Sequence, residues 1–200
     1  MKKLLSLILA LMMLLTPVLA MGEEYASYTD PNGNYSFSYP AEWTVISKDT
    51  FDLLWQIAET QADDTFKATM ESVKPQIEQL GMLVMMSEDL TSNINIIRQE
   101  VAGATPETLM SISGQLMESL KTTAADLEQT AETVLIDIGN ERQAMIMQYA
   151  YTMSGMEMNG VQAYVGLGDC MYVFTLTTTG EMLESTAEVL GFVMGSSELK

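Results

Sequence analysis

Apolar and polar residues alternate with a period of two near the start of this chain. Tyr35, Phe37 and Tyr39 alternate with serines, a pattern typical of a half-buried strand. The preceding motif, Asp30-Pro31-Asn32-Gly33-Asn34, indicates a turn, because proline fixes one φ angle while Asn and Gly tolerate positive φ. Residues 25–47 are therefore predicted to form a hairpin and its continuation.

Further strand segments follow, separated by short polar turns. They are predicted at residues 82–86, 93–101, 134–138, 143–153, 156–166 and 170–177. Their turns contain Ser87-Glu88-Asp89, Gly139-Asn140, Ser154-Gly155 and Gly168-Asp169. Because short turns join antiparallel neighbours, the last four segments are predicted to form a meander.

The first helical region is predicted over residues 50–80. Apolar residues there recur on one face, and Asp63 or Asp64 is placed to cap a second segment. Pro75 is expected to kink the helix or restart it, and Gly81 to end it.

Two more helices are predicted later in the chain. Thr105 and Pro106 mark the start of one, because threonine caps helices and proline fits their first turn. The last helix is expected to fray at residues 195–197. The predicted inward-facing residues are Leu109, Ile112, Leu116 and Leu120 in the first of these helices, and Leu183, Ala187, Leu190 and Met194 in the last.

Both faces of the predicted sheet are apolar. Tyr172, Phe174 and Leu176 occupy one face of their segment, while Met171 and Val173 occupy the other. A sheet that is apolar on both faces requires a cover on each. We therefore predict an α+β fold: an α/β/α sandwich with a central antiparallel sheet of about six to eight strands and helices on both faces.

Residues 1–20 have the features of a cleavable signal peptide. Lys2 and Lys3 precede an apolar run of about twelve residues, too short for a bilayer that needs about 20. Val18 and Ala20 are small residues at the positions that a signal peptidase inspects, so cleavage is predicted between Ala20 and Met21. An uncleaved anchor is the alternative. Residues 21–200 are then expected to form one secreted or extracytoplasmic domain, without a membrane anchor after cleavage.

The expected mature chain is strongly acidic. Loss of the signal leaves seven basic residues against 27 acidic ones, a formal charge of −20. Such a chain is repelled by phosphate backbones and anionic lipids, so nucleic acid is not an expected partner. Cationic proteins, basic cell-wall components or metal ions suit it better. A charge that serves only to keep an exported protein in solution is the alternative.

The residue types that carry most catalytic chemistry are scarce. The chain has no histidine, which excludes Ser-His and Cys-His triads and histidine-ligated metals. Its one cysteine, Cys170, lies in an apolar strand segment and is predicted to be structural. The turn that starts at Asp30 differs from a calcium-binding loop, because its glycine, Gly33, stands at the fourth position rather than the sixth. We predict no catalytic residue, cofactor site or metal site.

Other motifs in the chain have simple structural interpretations. Gly166-Leu167-Gly168 is predicted to be a hairpin turn rather than a phosphate loop. Trp43 is expected to pack under the first hairpin and Trp55 on the helical layer, with ligand stacking as the alternative. Carboxylate pairs for hydrolysis stay open, because their separation depends on tertiary structure.

One set of residues, spread along most of the chain, carries a family resemblance: Asp30, Gly33, Tyr35, Phe37, Tyr39-Pro40, Trp43, Asn93-Ile94-Asn95-Ile96, Gly139 and Leu190-Gly191-Phe192. Together they resemble the PsbP-like and DcrB-like domains. The chain also departs from those domains: Tyr35 stands where Phe is usual, Gly191 replaces a frequent Ser, and the helical region at 50–80 is longer. The resemblance implies an α/β/α sandwich and an accessory role without a common chemistry.

We therefore expect a secreted, non-catalytic accessory domain that binds a macromolecular partner, a protein or cell-wall component of cationic character. A secreted hydrolase that uses only carboxylates or hydroxyls is the first alternative, and a weak binder of calcium or cationic peptides is the second. Buried carboxylates of raised pKa around a deep cleft would favour the hydrolase. A shallow surface with an apolar patch ringed by acids would favour the binding domain.

Overall fold

Two antiparallel sheets, of eight and three strands, form the framework of the part of the chain that the structure describes. The structure is a computed structural model that describes residues 25–48, 50–52, 74, 77, 81–122, 124–153 and 155–200. The strands are β1 (Tyr25–Thr29), β2 (Tyr35–Pro40), β3 (Thr44–Ile46), β4 (Leu83–Met86), β5 (Ser92–Ala104), β6 (Glu128–Gln129), β7 (Val134–Gly139), β8 (Arg142–Met153), β9 (Met156–Gly166), β10 (Gly168–Thr179) and β11 (Glu198–Leu199). The helices are α1 (Pro106–Ser111), α2 (Ser113–Lys121) and α3 (Glu184–Ser196).

The large sheet has the order β3-β4-β5-β10-β9-β8, with β6 and β7 both paired to the outer side of β8. All of its pairs are antiparallel, and β7 to β10 form the predicted meander. Strand β10 lies in the middle of the sheet and joins its two halves by pairing with β5, for example at Thr178 and Ser92. The eight strands fall within the predicted number, and the α+β class is confirmed.

The two faces of the large sheet carry separate apolar layers. On one face Tyr172, Phe174 and Leu176 pack into a core with α3 and the three-stranded sheet β1-β2-β11. On the other face Met171 and Val173 pack with residues of α1 and α2. Helices therefore cover both faces, as predicted. The small sheet, which shares one face with α3, is an addition to the predicted sandwich.

The helix after β5 starts as predicted but divides in two. The Thr105 hydroxyl accepts a hydrogen bond from the Thr108 amide at 3.3 Å, with proline in the first turn. At Ile112 the backbone leaves helical geometry, with φ −106° and ψ 7°. This break changes which residues face inward: Leu109 and Met117 are buried. Of the later predicted members, Leu116 and Leu120 are half-buried and pack against the same cluster as Leu109, so the predicted face is confirmed in part, and Met117 is its most buried residue after the break.

The inward face of α3 is rotated from the predicted one. Leu190 and Met194 are buried as expected, and so is Val193. Leu183 and Ala187 are exposed, which contradicts their predicted positions. The predicted i, i+4, i+7 series extended one turn too far toward the N-terminus, because Leu183 is the N-cap and Ala187 lies in the first turn, which is exposed.

The predicted fraying at residues 195–197 is also wrong. Helix α3 continues to Ser196, and β11 then pairs with β2. The Arg142 guanidinium donates to the Ser197 carbonyl oxygen at 2.7 Å, and the Tyr172 hydroxyl lies 2.8 Å from the Lys200 carbonyl oxygen. These hydrogen bonds to the core of the large sheet hold the segment in place.

Only a few residues of the predicted helical region at 50–80 are described. Phe51 and Ile77 are helical and form a small apolar cluster with Met82. Gly81, the predicted helix stop, has a φ of +61°. The predictions for Trp55, Asp63, Asp64 and Pro75, and for cleavage between Ala20 and Met21, lie outside the described residues. In the ranges that are described, no helix is long and apolar enough to cross a membrane.

Candidate functional site

An open groove of about 860 Å³ lies at one end of the large sheet. Strands β3 and β5 begin at this end, and β4 and β10 finish there, because the four neighbouring strands are antiparallel. The bend before β3, the β4–β5 turn and the segment from β10 into α3 therefore meet and form its walls.

The groove is lined by acids and hydroxyls. Among the described residues that line it, none is Lys or Arg. Carboxylates that lie together without neutralising cations create a negative potential, which a concave surface concentrates. The acidic residues are Glu42, Glu88, Asp89 and Glu181, and the hydroxyl residues are Ser87, Thr91, Ser92, Thr178, Thr179, Ser185 and Thr186.

The β4–β5 turn holds one of these carboxylates in the ionised form. The Ser87 hydroxyl donates to Asp89 Oδ1 at 2.7 Å, and Thr91 donates to the same oxygen from its amide at 3.1 Å and its hydroxyl at 2.9 Å. The hydrogen bond from Ser87, followed by those from Thr91, lowers the pKa of Asp89 below its usual value. Asp89 therefore stays ionised to a lower pH than an ordinary aspartate does.

Hydrogen bonds between strands join the walls of the groove. The Ser92 hydroxyl donates to Thr178 Oγ1 at 2.9 Å in a buried contact between β5 and β10. The Thr179 amide donates to the Thr91 carbonyl oxygen at 3.0 Å. On the next strand, the Asn159 amide group donates to the Gly180 carbonyl oxygen at 2.8 Å. The acidic side chains thus surround an end of the sheet whose strands are joined by hydrogen bonds.

Three apolar residues also line the groove. Trp43 is buried in the core with Phe37, which confirms that it packs under the first hairpin. Val189 is half-buried on α3. Leu183, just before α3, has 60% of its surface exposed. The groove therefore combines an acidic border with a small apolar surface, the arrangement that favours a binding domain.

Three described carboxylates, of which only Asp89 lines the groove, have lowered pKa values that suit attraction of cations rather than proton donation. Hydrogen bonds lower the pKa values of Asp89, Glu107 and Asp126. A carboxylic acid that serves as a proton donor needs a raised pKa instead. In the described ranges, no group of three or more Cys, Asp or Glu side chains could hold a metal ion.

The remaining motifs singled out in the sequence lie away from the groove or form turns. Cys170 has no exposed surface and lies on β10 in the middle of the sheet, where burial raises the pKa of its thiol. Asp30 accepts hydrogen bonds from the amide and side chain of Asn34 at 3.1 and 2.8 Å, which confirms an ordinary turn. Gly166 and Gly168 lie at the β9–β10 junction as predicted.

Sequence reasoning did not identify the groove. The sequence predicts Glu88 and Asp89 only as part of a short polar turn, and no pattern in it singles out Glu42 or Glu181. The sequence contained part of the information, since each acid lies near the end of a predicted strand. Bringing them together requires the pairing of β10 with β5, whose partners Ser92 and Thr178 are 86 residues apart in the chain.

No protein-family model matches the sequence, and neither does any curated protein. Solved structures do match its fold. The solution structure of cyanobacterial PsbP (CyanoP) from Synechocystis sp. PCC 6803 gives a TM-score of 0.59 at 13% identity, over 93% of this chain and 99% of that one. A crystal structure from Bacteroides thetaiotaomicron VPI-5482 gives 0.53 at 13% identity over 89% of this chain, which spans 49% of that protein.

The Ran-binding protein Mog1p from Saccharomyces cerevisiae gives a TM-score of 0.51 at 9% identity, over 88% of this chain and 95% of that one. At such low identity these matches describe architecture alone. They agree with the resemblance seen in the sequence and with the covered antiparallel sheet. The chain therefore has a PsbP-like fold.

Proposed function

We propose that this protein is an exported, non-catalytic binding domain whose groove captures a cationic macromolecule. The groove carries the proposal: four carboxylates and no Lys or Arg are found among the described residues that line it. The whole chain has a formal charge of −18, so its long-range field has the same sign as the groove. A basic partner would be attracted at a distance and bound where the field is strongest.

The fold and the chemistry support a binding role. Mog1p, which is similar in fold, is a Ran-binding protein. The groove has no histidine or thiol, and its Asp89 is stabilised in the ionised form. We include export in the proposal because residues 1–20 have the features of a signal peptide. Cleavage between Ala20 and Met21 would release the domain.

The proposal is tested with a fluorescent octalysine peptide, whose binding is followed by anisotropy. We expect affinity to fall by about tenfold or more between about 0.01 and 0.15 M salt, as the Debye length falls from roughly 30 to 8 Å. Octalysine with acetylated side chains, which has lost its charge, is the matched control and should not bind. Equal affinity at both salt concentrations would contradict the electrostatic proposal.

Catalysis is tested on the same purified protein with ester, peptide and glycoside substrates. We expect no turnover of any of them. Hydrolysis that disappears when one Asp or Glu is replaced would establish the carboxylate-dependent hydrolase in place of the binding domain.

A further inference from the structure

Leu183 occupies an unusual position in the groove. It is the residue that precedes α3, with an extended backbone of φ −74° and ψ 145°. Its carbonyl oxygen accepts hydrogen bonds from the amides of Thr186 and Ala187 at 3.1 and 3.2 Å, so it is the N-cap of the helix. Its side chain makes no capping hydrogen bond and is 60% exposed.

Neither folding nor capping accounts for leucine at this position. Leucine is among the poorest N-cap residues, because it has no oxygen to accept from the free amides of the first turn. An exposed leucine also contributes little hydrophobic stabilisation. Single exposed leucines are common on protein surfaces, but this one replaces a capping residue and lines a groove.

Helix α1 of the same chain shows the usual arrangement. Its N-cap is Thr105, which accepts from the Thr108 amide, and Pro106 follows in the first turn. The N-cap of α3 departs from this pattern, and so does Ile112 at the start of α2, but Ile112 is half-buried whereas Leu183 is exposed on the wall of the acidic groove. Departures of this kind are expected where a residue serves function at a cost in stability.

We propose that Leu183 contacts an apolar side chain of the partner, so that the groove binds a basic protein segment with an apolar residue among its Lys or Arg side chains. This inference rests on the proposed function and specifies its partner. Glu42, Glu88 and Glu181 complement the basic side chains, and Leu183 provides the contact that a purely polar polycation would not use. A groove of about 860 Å³ is of the size that holds a small ligand, so a short segment fits it better than a folded domain.

The test compares two synthetic peptides of equal charge at about 0.15 M salt. The leucine peptide has a pair of leucines between two runs of lysines of equal length, and the serine peptide has a pair of serines in their place. We expect the protein to bind the leucine peptide about tenfold more tightly, the effect of burying one apolar side chain.

Leu183→Ser should abolish this preference, because the leucine pair then loses its apolar contact in the groove and the two peptides bind alike. Because serine caps α3, the same variant should melt about 2–4 °C higher, which distinguishes lost recognition from misfolding.

Val134→Ser is the control, since Val134 is 44% exposed on β7, next to β8 at the opposite edge of the sheet. It should keep the preference for the leucine peptide. Equal, salt-sensitive binding of both peptides, or a preference that survives Leu183→Ser, would overturn this inference and leave the proposed function intact. Failure of both peptides to bind even at about 0.01 M salt would overturn both.

Discussion

At the scale of single residues, buried polar contacts fix how the small sheet and the chain end meet the large sheet. Tyr172 on β10 is fully buried, and its hydroxyl lies 2.8 Å from the carbonyl oxygens of both Asn34 and Lys200. The Arg98 guanidinium lies 6.0 Å from the centre of the same ring. Because a buried hydroxyl needs a partner, Tyr172 favours one position of these segments.

Cys170, two residues before Tyr172, gives a direct test of this packing. It has no exposed surface, and burial raises the pKa of its thiol, which disfavours the reactive thiolate. We expect a thiol reagent to label the folded protein far more slowly than the protein in denaturant. Cys170→Ala should lower the free energy of unfolding by on the order of 1 kcal/mol, measured by urea titration. Rapid labelling of the folded protein would contradict the burial of β10.

At the scale of elements, the end of β9 lies close to the end of β5 because Gly166, the last residue of β9, has no side chain. A Cβ atom built on Gly166 would lie 2.2 Å from the carbonyl oxygen of Ala104 and 3.1 Å from Leu109 Cδ1. We therefore expect Gly166→Ala to destabilise the protein by about 1–3 kcal/mol in urea unfolding. Gly114→Ala in α2 is the control: its Cβ meets nothing within 4 Å and should stabilise the helix by roughly 0.5–1 kcal/mol. Equal stability of the two variants would show that the approach is looser than described.

The strands could be predicted from the sequence because period-two patterns and turn residues are local signals. Predicted segments such as 143–153 and 156–166 agree closely with β8 and β9. The buried faces of the helices were harder to predict, because a short helix offers several sets of apolar residues that could face the core. In α2 the fully buried residue is Met117, while Leu116 is half-buried against the same cluster, after a break at Ile112 that the predicted series did not include. Strand β11 has only two residues and depends on tertiary contacts with β2.

At the scale of the whole molecule, composition predicted the sign of the charge but not its distribution. The four acids of the groove lie between Glu42 and Glu181, and only the strand order brings them to one end of the sheet. The apolar part of the groove was missed for a related reason: periodicity placed Leu183 in the core, although the first turn of α3 lies at the groove wall. Sheet order and helix rotation are tertiary properties that local patterns do not specify.

The central claim is that the position of the acids, and not only the total charge, creates the binding site. Two triple variants of equal charge separate these possibilities. One replaces the exposed groove residues Glu42, Glu88 and Glu181 with glutamine. The other replaces the exposed Glu128, Glu132 and Glu141, which lie in or beside β6, β7 and β8 at the far edge of the sheet. Asp89 is kept in both because it orders the β4–β5 turn.

The decisive measurement is the affinity of both variants for fluorescent octalysine at about 0.05 M salt. Each variant loses three negative charges, so the long-range attraction is reduced equally in both. We predict that the groove variant binds about tenfold or more weakly than the unaltered protein, while the far-edge variant loses no more than about threefold. Equal loss in the two variants would contradict the account, because binding would then follow net charge alone.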